Sequence, residues 1–343
     1  MKIINAGYEI INESSITKKI ERVARVCYKS ENMIGEDTDI KMCHSLINRQ
    51  HTAMLEHASL VLEVGVQEYA LIETLRSFME NMIENDNENR KCYLRYTNRI
   101  DAEGIEYHYI VSGNIRAWYE FMQYANSVNG LPVDLYNLIN DNVNNIFDID
   151  VKDFDSVVFD VCEPDEFYAK VITDISTLSN EERMVHEDIT VIFTSDLLIQ
   201  RELVRHREAS FAGESTRYCN YSLDKFDNQI TVIKPCFWNE DSEIYGEWKQ
   251  SCEEAEKSYF ILLNEGATPQ QARDVLPAAT KCDTVVTANL KEWKHIFNLR
   301  ACDSTGPAHP KMKEIMIPLF KELRSDKYNF AFGDMYAADE VHP

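Results

Sequence analysis

The chain has 343 residues and a formal net charge of -23 at pH 7, with 58 acidic and 35 basic side chains. A hydrophobic content of 44% with 27% charged residues is typical of a soluble globular protein. The acidic surplus argues against binding to nucleic acid or to an anionic membrane, since both need broad basic surfaces. Nine cysteines without a Cys-x-x-Cys pair indicate reduced thiols in a cytoplasmic protein rather than a disulfide framework or a zinc site.

The first part of the chain predicts two helices and then a strand. Apolar residues at helical spacing follow Ser14–Ser15, and either serine can cap a helix. A second helix is expected after Asp37 and delivers His51 at its end. Ser59–Val66 is rich in Val and Leu, which predicts a strand leading into a helix over Gln67–Glu84.

The second part alternates strands with helices, and no Gly/Ser-rich or Pro-rich linker marks a domain boundary. The expected strands cover Ile189–Phe193 and Lys281–Thr287. The expected helices cover roughly Asp196–Arg207, 239–264, 268–276 with Pro269 in its first turn, and Asn289–Arg300.

A group of cationic side chains lies in the middle of this acidic chain, at Arg201, Arg205, His206, Arg207 and Arg217. A forked guanidinium is suited to bind phosphate or a carbonyl edge. The alternative is a solvated basic face that pairs with the acidic surface. The order Arg-His-Arg, seven residues, Ser and then Arg two residues later favours the first interpretation.

This order resembles the signature of the flavin-dependent thymidylate synthases, which methylate dUMP through a reduced flavin. Four other segments resemble elements of that family in the same order along the chain. They are Ala24–Tyr28, His51–His57, Ala272–Pro277, and Val286–His295 followed by Asn298–Arg300. One short motif is weak evidence, but five in order are strong. The resemblance covers about residues 1–57 and 186–330.

The resemblance implies a mixed α/β fold, with a central, mostly antiparallel sheet flanked by helices and a large α/β insertion. It implies conversion of dUMP to dTMP, with methylenetetrahydrofolate as one-carbon donor, FAD as carrier and NADPH as reductant. A homotetramer with shared active sites is expected, with no nucleic-acid or membrane partner. A flavoprotein acting on another pyrimidine nucleotide and a catalytically inactive, nucleotide-binding paralogue are the alternatives.

The resemblance also implies roles for single residues. Arg217 is expected to bind the nucleotide phosphate, Ser215 to hydrogen-bond the nucleotide, and Arg300 to stabilise charge at the uracil edge. These three are the expected catalytic residues. The expected substrate-binding residues are Arg205, Glu202, Glu214, Ser215, Arg217 and Arg300. The expected cofactor-binding residues are His51, Glu56, Arg205, His206, Arg207, Asn289, Lys291 and His295.

Ordinary structural roles are open for some of these residues. Asn289 can cap its helix, alone or together with a cofactor contact, while Glu56 and His295 can be ordinary polar neighbours. No metal site is expected, because His51 and His57 have no third ligand at a standard spacing.

Two positions depart from the family pattern. The family usually has Gln or Glu two residues before the signature Ser, where it helps hold the nucleotide, but this chain has Gly213. Either Glu214 or a water fills that place, or nucleotide affinity is lower. Glu202 stands where some members have a nucleotide-contacting Gln, and its carboxylate repels a phosphate unless an arginine pairs with it.

Residues 58–185 form an acidic insertion between the expected core segments, 1–57 and 186–343. The insertion has 24 acidic and 9 basic residues, and therefore -15 of the net charge. Its segment Val111–Trp118 resembles Val286–Trp293, so that a degenerate internal duplication and a chance recurrence of a strand–helix junction are both open. We expect a peripheral insertion that affects assembly or access, with core residues Trp118, Tyr119, Phe121, Leu135 and Phe159.

Overall fold

The computed structural model describes residues 1–66, 94–100, 107–128, 133–149 and 167–341. The strands in these ranges are β1 (Lys2–Ile4), β2 (Gly7–Ile10), β3 (Ser59–Val66), β4 (Arg95–Ile100), β5 (Tyr107–Asn114), β6 (Phe167–Val171), β7 (Asp188–Asp196), β8 (Ser210–Gly213), β9 (Thr231–Ile233) and β10 (Lys281–Asn289). The expected helix over Gln67–Glu84 and the expected core residue Phe159 lie outside the described residues.

The α-helices in the same ranges are α1 (Ile16–Tyr28), α2 (Thr38–Asn48), α3 (Ile115–Val128), α4 (Val133–Asn142), α5 (Asn180–His186), α6 (Leu197–Leu203), α7 (Glu243–Asn264), α8 (Pro269–Ala272), α9 (Leu290–Arg300), α10 (Pro310–Arg324), α11 (Asn329–Phe332) and α12 (Ala338–Val341). No helix in the described part of the chain is long and apolar enough to cross a membrane.

The chain forms two compact units. The first unit comprises Met1–Asn12, Arg22–Met33 and Ile189–Pro343, and the second comprises Glu13–Glu21 and Ile34–Asp188. The segment that carries His51 and Glu56 therefore belongs to the second unit, whose range Ile34–Asp188 includes the whole of the acidic insertion, 58–185.

The first unit contains a four-stranded sheet in the order β2-β7-β10-β8 and a parallel pair, β1 with β9. Strand β2 is antiparallel to β7, and β8 is antiparallel to β10. The two central strands are almost entirely buried, because helices cover the sheet. Helix α9 contributes Trp293 and Phe297 to this core, where their rings stack with centroids 5.3 Å apart. The mixed α/β fold with antiparallel strands and flanking helices is confirmed.

Several element boundaries differ from the sequence-based expectation. Strands β7 and β10 are longer than predicted, because apolar alternation gives way to polar residues that still pair in the sheet. The helix expected over 239–264 begins at Glu243, where the Ser242 hydroxyl accepts a hydrogen bond from the Tyr245 amide. The helix expected over 268–276 is α8 followed by a 3-10 turn, with Pro269 in the first turn as predicted.

The second unit contains an antiparallel sheet in the order β4-β5-β3-β6. Helix α3 follows β5 directly and buries Trp118 and Phe121, which pack edge to face. Leu135 is also buried, while Tyr119 is half-buried and packs against Phe147. The described part of the insertion is therefore a folded sheet-and-helix unit with the expected apolar residues in its core.

The strand–helix junctions β5–α3 and β10–α9 have the same hydrogen bonds, each within its own unit. In both, the side-chain oxygen of the asparagine that ends the strand accepts a hydrogen bond from a helix amide at 2.8 Å, Asn114 from Ala117 and Asn289 from Glu292. In both, the helix tryptophan donates to a carbonyl of the neighbouring strand, from Trp118 to Leu60 at 3.1 Å and from Trp293 to Ile189 at 3.0 Å. The sequence resemblance between the two segments thus extends to their local geometry.

Candidate active site

Strand β7 leads into the short helix α6, which positions the Arg-His-Arg segment. Asp196 caps this helix by accepting from the Ile199 amide at 3.0 Å, and Asp196 is itself fully buried against Lys311 at 2.6 Å. The sequence predicted a helix up to Arg207, but α6 ends at Leu203. Beyond Val204 the bonds become tight i to i−3 contacts, in which the Arg205 amide donates to the Glu202 carbonyl at 3.4 Å and the His206 amide to the Leu203 carbonyl at 3.1 Å. This turn buries His206 and leaves its two arginine neighbours exposed.

The side chains of His206 and Arg300 form the centre of the site. The Arg300 Nε donates to His206 Nε2 at 3.2 Å, and its Nη1 lies 3.3 Å from a Glu202 carboxylate oxygen. His206 is only 5% exposed, and its burial lowers its pKa to about 4, helped by the charge of Arg300 and by His295. His206 is therefore neutral at neutral pH and accepts the hydrogen bond from Arg300.

Helix α9 brings a second group of predicted residues to His206. Asn289 caps this helix through the Glu292 amide, so its capping role is present. The Glu292 carboxylate lies 3.7 Å from His206 Nδ1, and burial raises its pKa above the usual value. The imidazoles of His295 and His206 meet edge to face, with ring centroids 6.0 Å apart.

His206, Glu292 and His295 have ligand atoms within 4.8 Å of one another, a group that could hold a metal ion. The sequence spacing did not predict this group, because His206 lies in the turn after α6 whereas Glu292 and His295 lie on α9. The hydrogen bond from Arg300 to His206 Nε2 affects the ability of this group to bind a metal ion. A neutral imidazole that accepts at Nε2 carries its proton on Nδ1, so the ring nitrogen that faces Glu292 is a donor. As arranged, His206 Nε2 is already occupied by Arg300, so the three side chains are not a set of free ligands.

Three exposed cations are next to residues of this centre in the sequence: Arg205 and Arg207 on either side of His206, and Lys291 before Glu292. Among the described residues, none of their side chains has a hydrogen-bond or ion-pair partner, although the chain carries a net charge of -23. These donors fit an anionic ligand.

The loop that follows β8 carries Ser215 and Arg217. The Ser215 amide donates to the Cys27 carbonyl at 3.0 Å, and the Ser215 carbonyl accepts from the Cys219 amide at 2.9 Å, so the loop backbone is fixed on both sides. Arg217 is exposed, donates from Nε to Gln270 at 3.1 Å, and lies with its guanidinium 5.6 Å from the centroid of the Tyr218 ring. Its remaining donors are available to an anionic ligand.

Sequence reasoning missed a second arginine at this loop. The Arg273 Nη1 donates to the Thr216 hydroxyl at 3.3 Å, between Ser215 and Arg217. The segment Ala272–Pro277 was part of the family resemblance, so Arg273 could have been named as a candidate from the sequence. What the sequence could not show was that the 3-10 turn after α8 brings this guanidinium to the loop.

Glu214 is buried in a group of four charged side chains. Its carboxylate lies 2.7 Å from the Lys281 amine and 3.7 Å from that of Lys29, and Asp283 pairs with both lysines. Burial alone raises the pKa of Asp283, but the charges of Lys281 and Lys29 lower it below the usual value. Glu214 is therefore a structural anchor for the loop, and its carboxylate is already satisfied.

His51 and Glu56 belong to the second unit. Glu56 lies in a 3-10 turn, Thr52–His57, and accepts from Arg116 Nη1 at 2.7 Å. Arg116 also donates from Nε to Glu120 at 2.7 Å, so that two carboxylates share one guanidinium. His51 is exposed at the end of the turn after α2. The sequence placed Arg116 in a peripheral insertion, whereas its guanidinium contacts a predicted cofactor residue.

Residues 157–325 match the family model described as thymidylate synthase complementing protein. Flavin-dependent thymidylate synthases from Pyrococcus furiosus and Pyrococcus abyssi are each 35% identical to this chain over 122 residues, which cover 36% of this chain and 48% of the relative. The chain thus spans about half the length of the curated relatives it matches. A crystal structure of the UMP/dUMP methylase PolB from Streptomyces cacaoi bound with 5-Br dUMP aligns over 94% of this chain and 92% of its own. Its identity of 12% and TM-score of 0.37 carry no weight for fold or function.

Proposed function

We propose that this chain is a flavin-dependent thymidylate synthase, because residues 157–325 match the family model described as thymidylate synthase complementing protein. It converts dUMP to dTMP, with methylenetetrahydrofolate as one-carbon donor. FAD acts as carrier and NADPH supplies the reducing equivalents. The proposed assembly is a homotetramer with active sites shared between subunits.

The observation that carries this proposal is the set of unpaired cations around a buried, neutral imidazole. Arg205, Arg207 and Lys291 have no partner among the described residues of a strongly acidic chain; the two arginines are the sequence neighbours of His206, and Lys291 lies on α9, the helix that ends with Arg300. Such an arrangement leaves positive charge available for a polyanionic ligand. Every ligand of the proposed reaction is an anion, so these cations can bind a ligand through charge.

Arg300 is the proposed contact with the uracil edge. Three of its donor groups are used by His206 and Glu202, and a guanidinium has five N–H groups in all, so two remain for a ligand. Because the guanidinium is fixed on both sides, its charge is oriented before the substrate binds. A fixed cation stabilises negative charge that develops on a pyrimidine carbonyl as C5 becomes nucleophilic.

Ser215, Arg217 and Arg273 are the proposed nucleotide-binding residues of the loop after β8. A serine hydroxyl and two forked guanidinium groups on one short loop provide hydrogen bonds and charge for a phosphate. Glu202 does not add an unpaired negative charge here, because Arg300 already contacts its carboxylate. FAD, when bound, supplies the electron transfer, and the protein supplies orientation and charge.

The test of this proposal is uptake of FAD and its response to dUMP. The protein is purified with added FAD, freed of excess cofactor and titrated with dUMP while the flavin absorbance is followed. We expect FAD to remain bound and its spectrum to change on addition of dUMP. Lys291→Ala should weaken FAD binding, whereas Lys257→Ala, an exposed lysine of α7, should not.

A protein that takes up no FAD under any condition would overturn the proposal. A protein that binds FAD but responds to another pyrimidine nucleotide and not to dUMP would instead identify a related flavoprotein with a different substrate.

A further inference from the structure

Gly213, the last residue of β8, is at the position where the family usually has a nucleotide-binding Gln or Glu. It pairs with Thr284 across the sheet and does not have a positive φ, so its backbone does not require glycine. The reason for glycine is space. A Cβ atom at this position would overlap the side-chain Nε2 of Gln200 and lie 3.6 Å from its Cδ. Gln200 therefore occupies the volume that any larger residue at 213 would fill.

Gln200 is held in this place by helix α6. The helix is capped by the buried Asp196, which in turn pairs with Lys311, so the base of the Gln200 side chain is fixed. Within the described part of the chain, the Gln200 amide has no hydrogen-bond partner. This side chain is half-buried, so its amide is available to hydrogen-bond a ligand or water.

Gln200 and Glu214 lie on opposite faces of the extended segment 211–215. From Phe211 to Ser215 the residues alternate, with Ala212 and Glu214 buried and the odd-numbered positions partly exposed. Successive side chains of an extended segment point to opposite faces. Glu214 faces the lysine group inside, while Gln200 lies over Gly213 on the exposed face, which also carries Ser215.

We propose that Gln200 hydrogen-bonds the pyrimidine nucleotide, supplying from helix α6 the amide that a side chain at position 213 cannot provide. This inference rests on the proposed function, and it makes Gln200 a specificity-determining residue of the same site. A carboxamide offers one donor and one acceptor group, which match the alternating carbonyl and N–H groups of a uracil edge. Being neutral, it adds no repulsion toward the nucleotide phosphate.

The experiment uses the full-length, FAD-loaded protein and measures the Kd for dUMP by calorimetry. Gln200→Met keeps the length of the side chain but removes the amide, so Kd should rise about three- to tenfold, the loss of one neutral hydrogen bond. Gly213→Ala should raise Kd similarly, because the added methyl displaces Gln200. Gln250→Ala, which removes an exposed glutamine on α7, should bind dUMP like the wild type.

Rescue distinguishes ligand recognition from packing. The double variant Gln200→Ala with Gly213→Gln moves the amide to the other element and should recover most of the affinity lost in Gln200→Ala. A Gln200→Met protein that melts like the wild type and binds dUMP equally well would overturn the inference, as would a double variant no better than Gln200→Ala. Failure of the proposed function would show differently, in a wild-type protein that binds no dUMP, and would overturn both.

Discussion

Arg300 donates a 3.2 Å hydrogen bond to the imidazole of His206 while contacting the carboxylate of Glu202. This one guanidinium joins the end of α9 to the turn after α6, two elements far apart in the sequence. It keeps a neutral imidazole and a fixed positive charge side by side in a partly buried place. In the proposed reaction the imidazole lies beside the cofactor, and the charge faces the pyrimidine.

The first prediction concerns the pH dependence of stability. The pKa of His206 is about 4 in the folded protein and about 6.5 when unfolded, so unfolding takes up a proton between these values. The contribution of His206 to the free energy of unfolding should therefore fall as pH drops below about 6.5 and be lost below about 4. Urea denaturation of His206→Gln should give a flatter curve in this window than the wild type.

His186, whose pKa burial also lowers to about 4, remains in the variant and keeps some of the slope. Equal slopes for His206→Gln and the wild type would contradict a neutral, buried His206.

The second prediction concerns the absence of a cysteine nucleophile. Cys219 lies two residues beyond Arg217, but it is 1% exposed and its burial raises its pKa to about 12. The thiolate needed for attack is therefore not populated at neutral pH. Cys219→Ala should retain most of the dTMP-forming activity. A folded Cys219→Ala protein that binds FAD and dUMP normally but does not turn over would contradict this prediction.

The third prediction concerns Arg217, whose charge is the proposed phosphate contact. A charge-assisted hydrogen bond contributes about 1.5–3 kcal/mol, so Arg217→Ala should raise the Kd for dUMP roughly ten- to hundredfold. The loss should shrink for deoxyuridine, which has no phosphate, and this comparison is the control. An equal loss for both ligands would place Arg217 away from the phosphate.

The fourth prediction separates anchoring from binding at Glu214. Removing its charge leaves Lys281 and Lys29 facing Asp283 alone. Breaking a fully buried ion pair costs about 3–5 kcal/mol, and these lysines are partly exposed, so Glu214→Gln should lower the free energy of unfolding by about 2–3 kcal/mol. Glu247→Gln, an exposed carboxylate of α7, should leave stability unchanged.

The sequence alone assigned Glu214 to the substrate. A Glu214→Gln protein with unchanged stability but much weaker dUMP binding would restore that assignment.

The fifth prediction concerns Glu56 and Arg116, which form an ion pair at 2.7 Å in the second unit. If Glu56 helps hold the flavin, its partner must matter too, contrary to the expectation of a peripheral insertion. We predict that Glu56→Gln and Arg116→Met weaken FAD binding by similar factors and that the double variant is no worse than either single change. Arg116→Met with normal FAD affinity beside a weakened Glu56→Gln would show that the pair is only structural.

The recurring strand–helix junctions lead us to propose that the second unit is a degenerate internal duplication. Asn114 and Trp118 repeat the hydrogen bonds of Asn289 and Trp293. Chance recurrence of a helix cap would explain the asparagine bonds but not the matching tryptophan bonds. The repeat keeps the scaffold and not the chemistry. At the positions that correspond to Glu292 and His295, with the same spacing from Trp118, the second unit has Ala117 and Glu120.

Local patterns predicted much of the fold. Strand β3 has the predicted bounds, and Asn289 caps α9, because both depend on residues adjacent in the sequence. The contacts of the candidate site could not be predicted from local patterns. That Glu214 points inward depends on Lys29, which is distant in the sequence, and the contact between Gln200 and Gly213 depends on how α6 lies against β8. Such contacts are set by tertiary packing, which periodicity does not encode.

The most direct test of the proposed activity is formation of dTMP by the purified, FAD-loaded protein, measured by chromatography and mass spectrometry. We predict that dTMP forms only when dUMP, methylenetetrahydrofolate and NADPH are all supplied, and that Arg300→Gln loses most of this activity while keeping bound FAD. A folded wild-type protein that binds FAD and dUMP but forms no dTMP from the complete mixture would contradict the proposal.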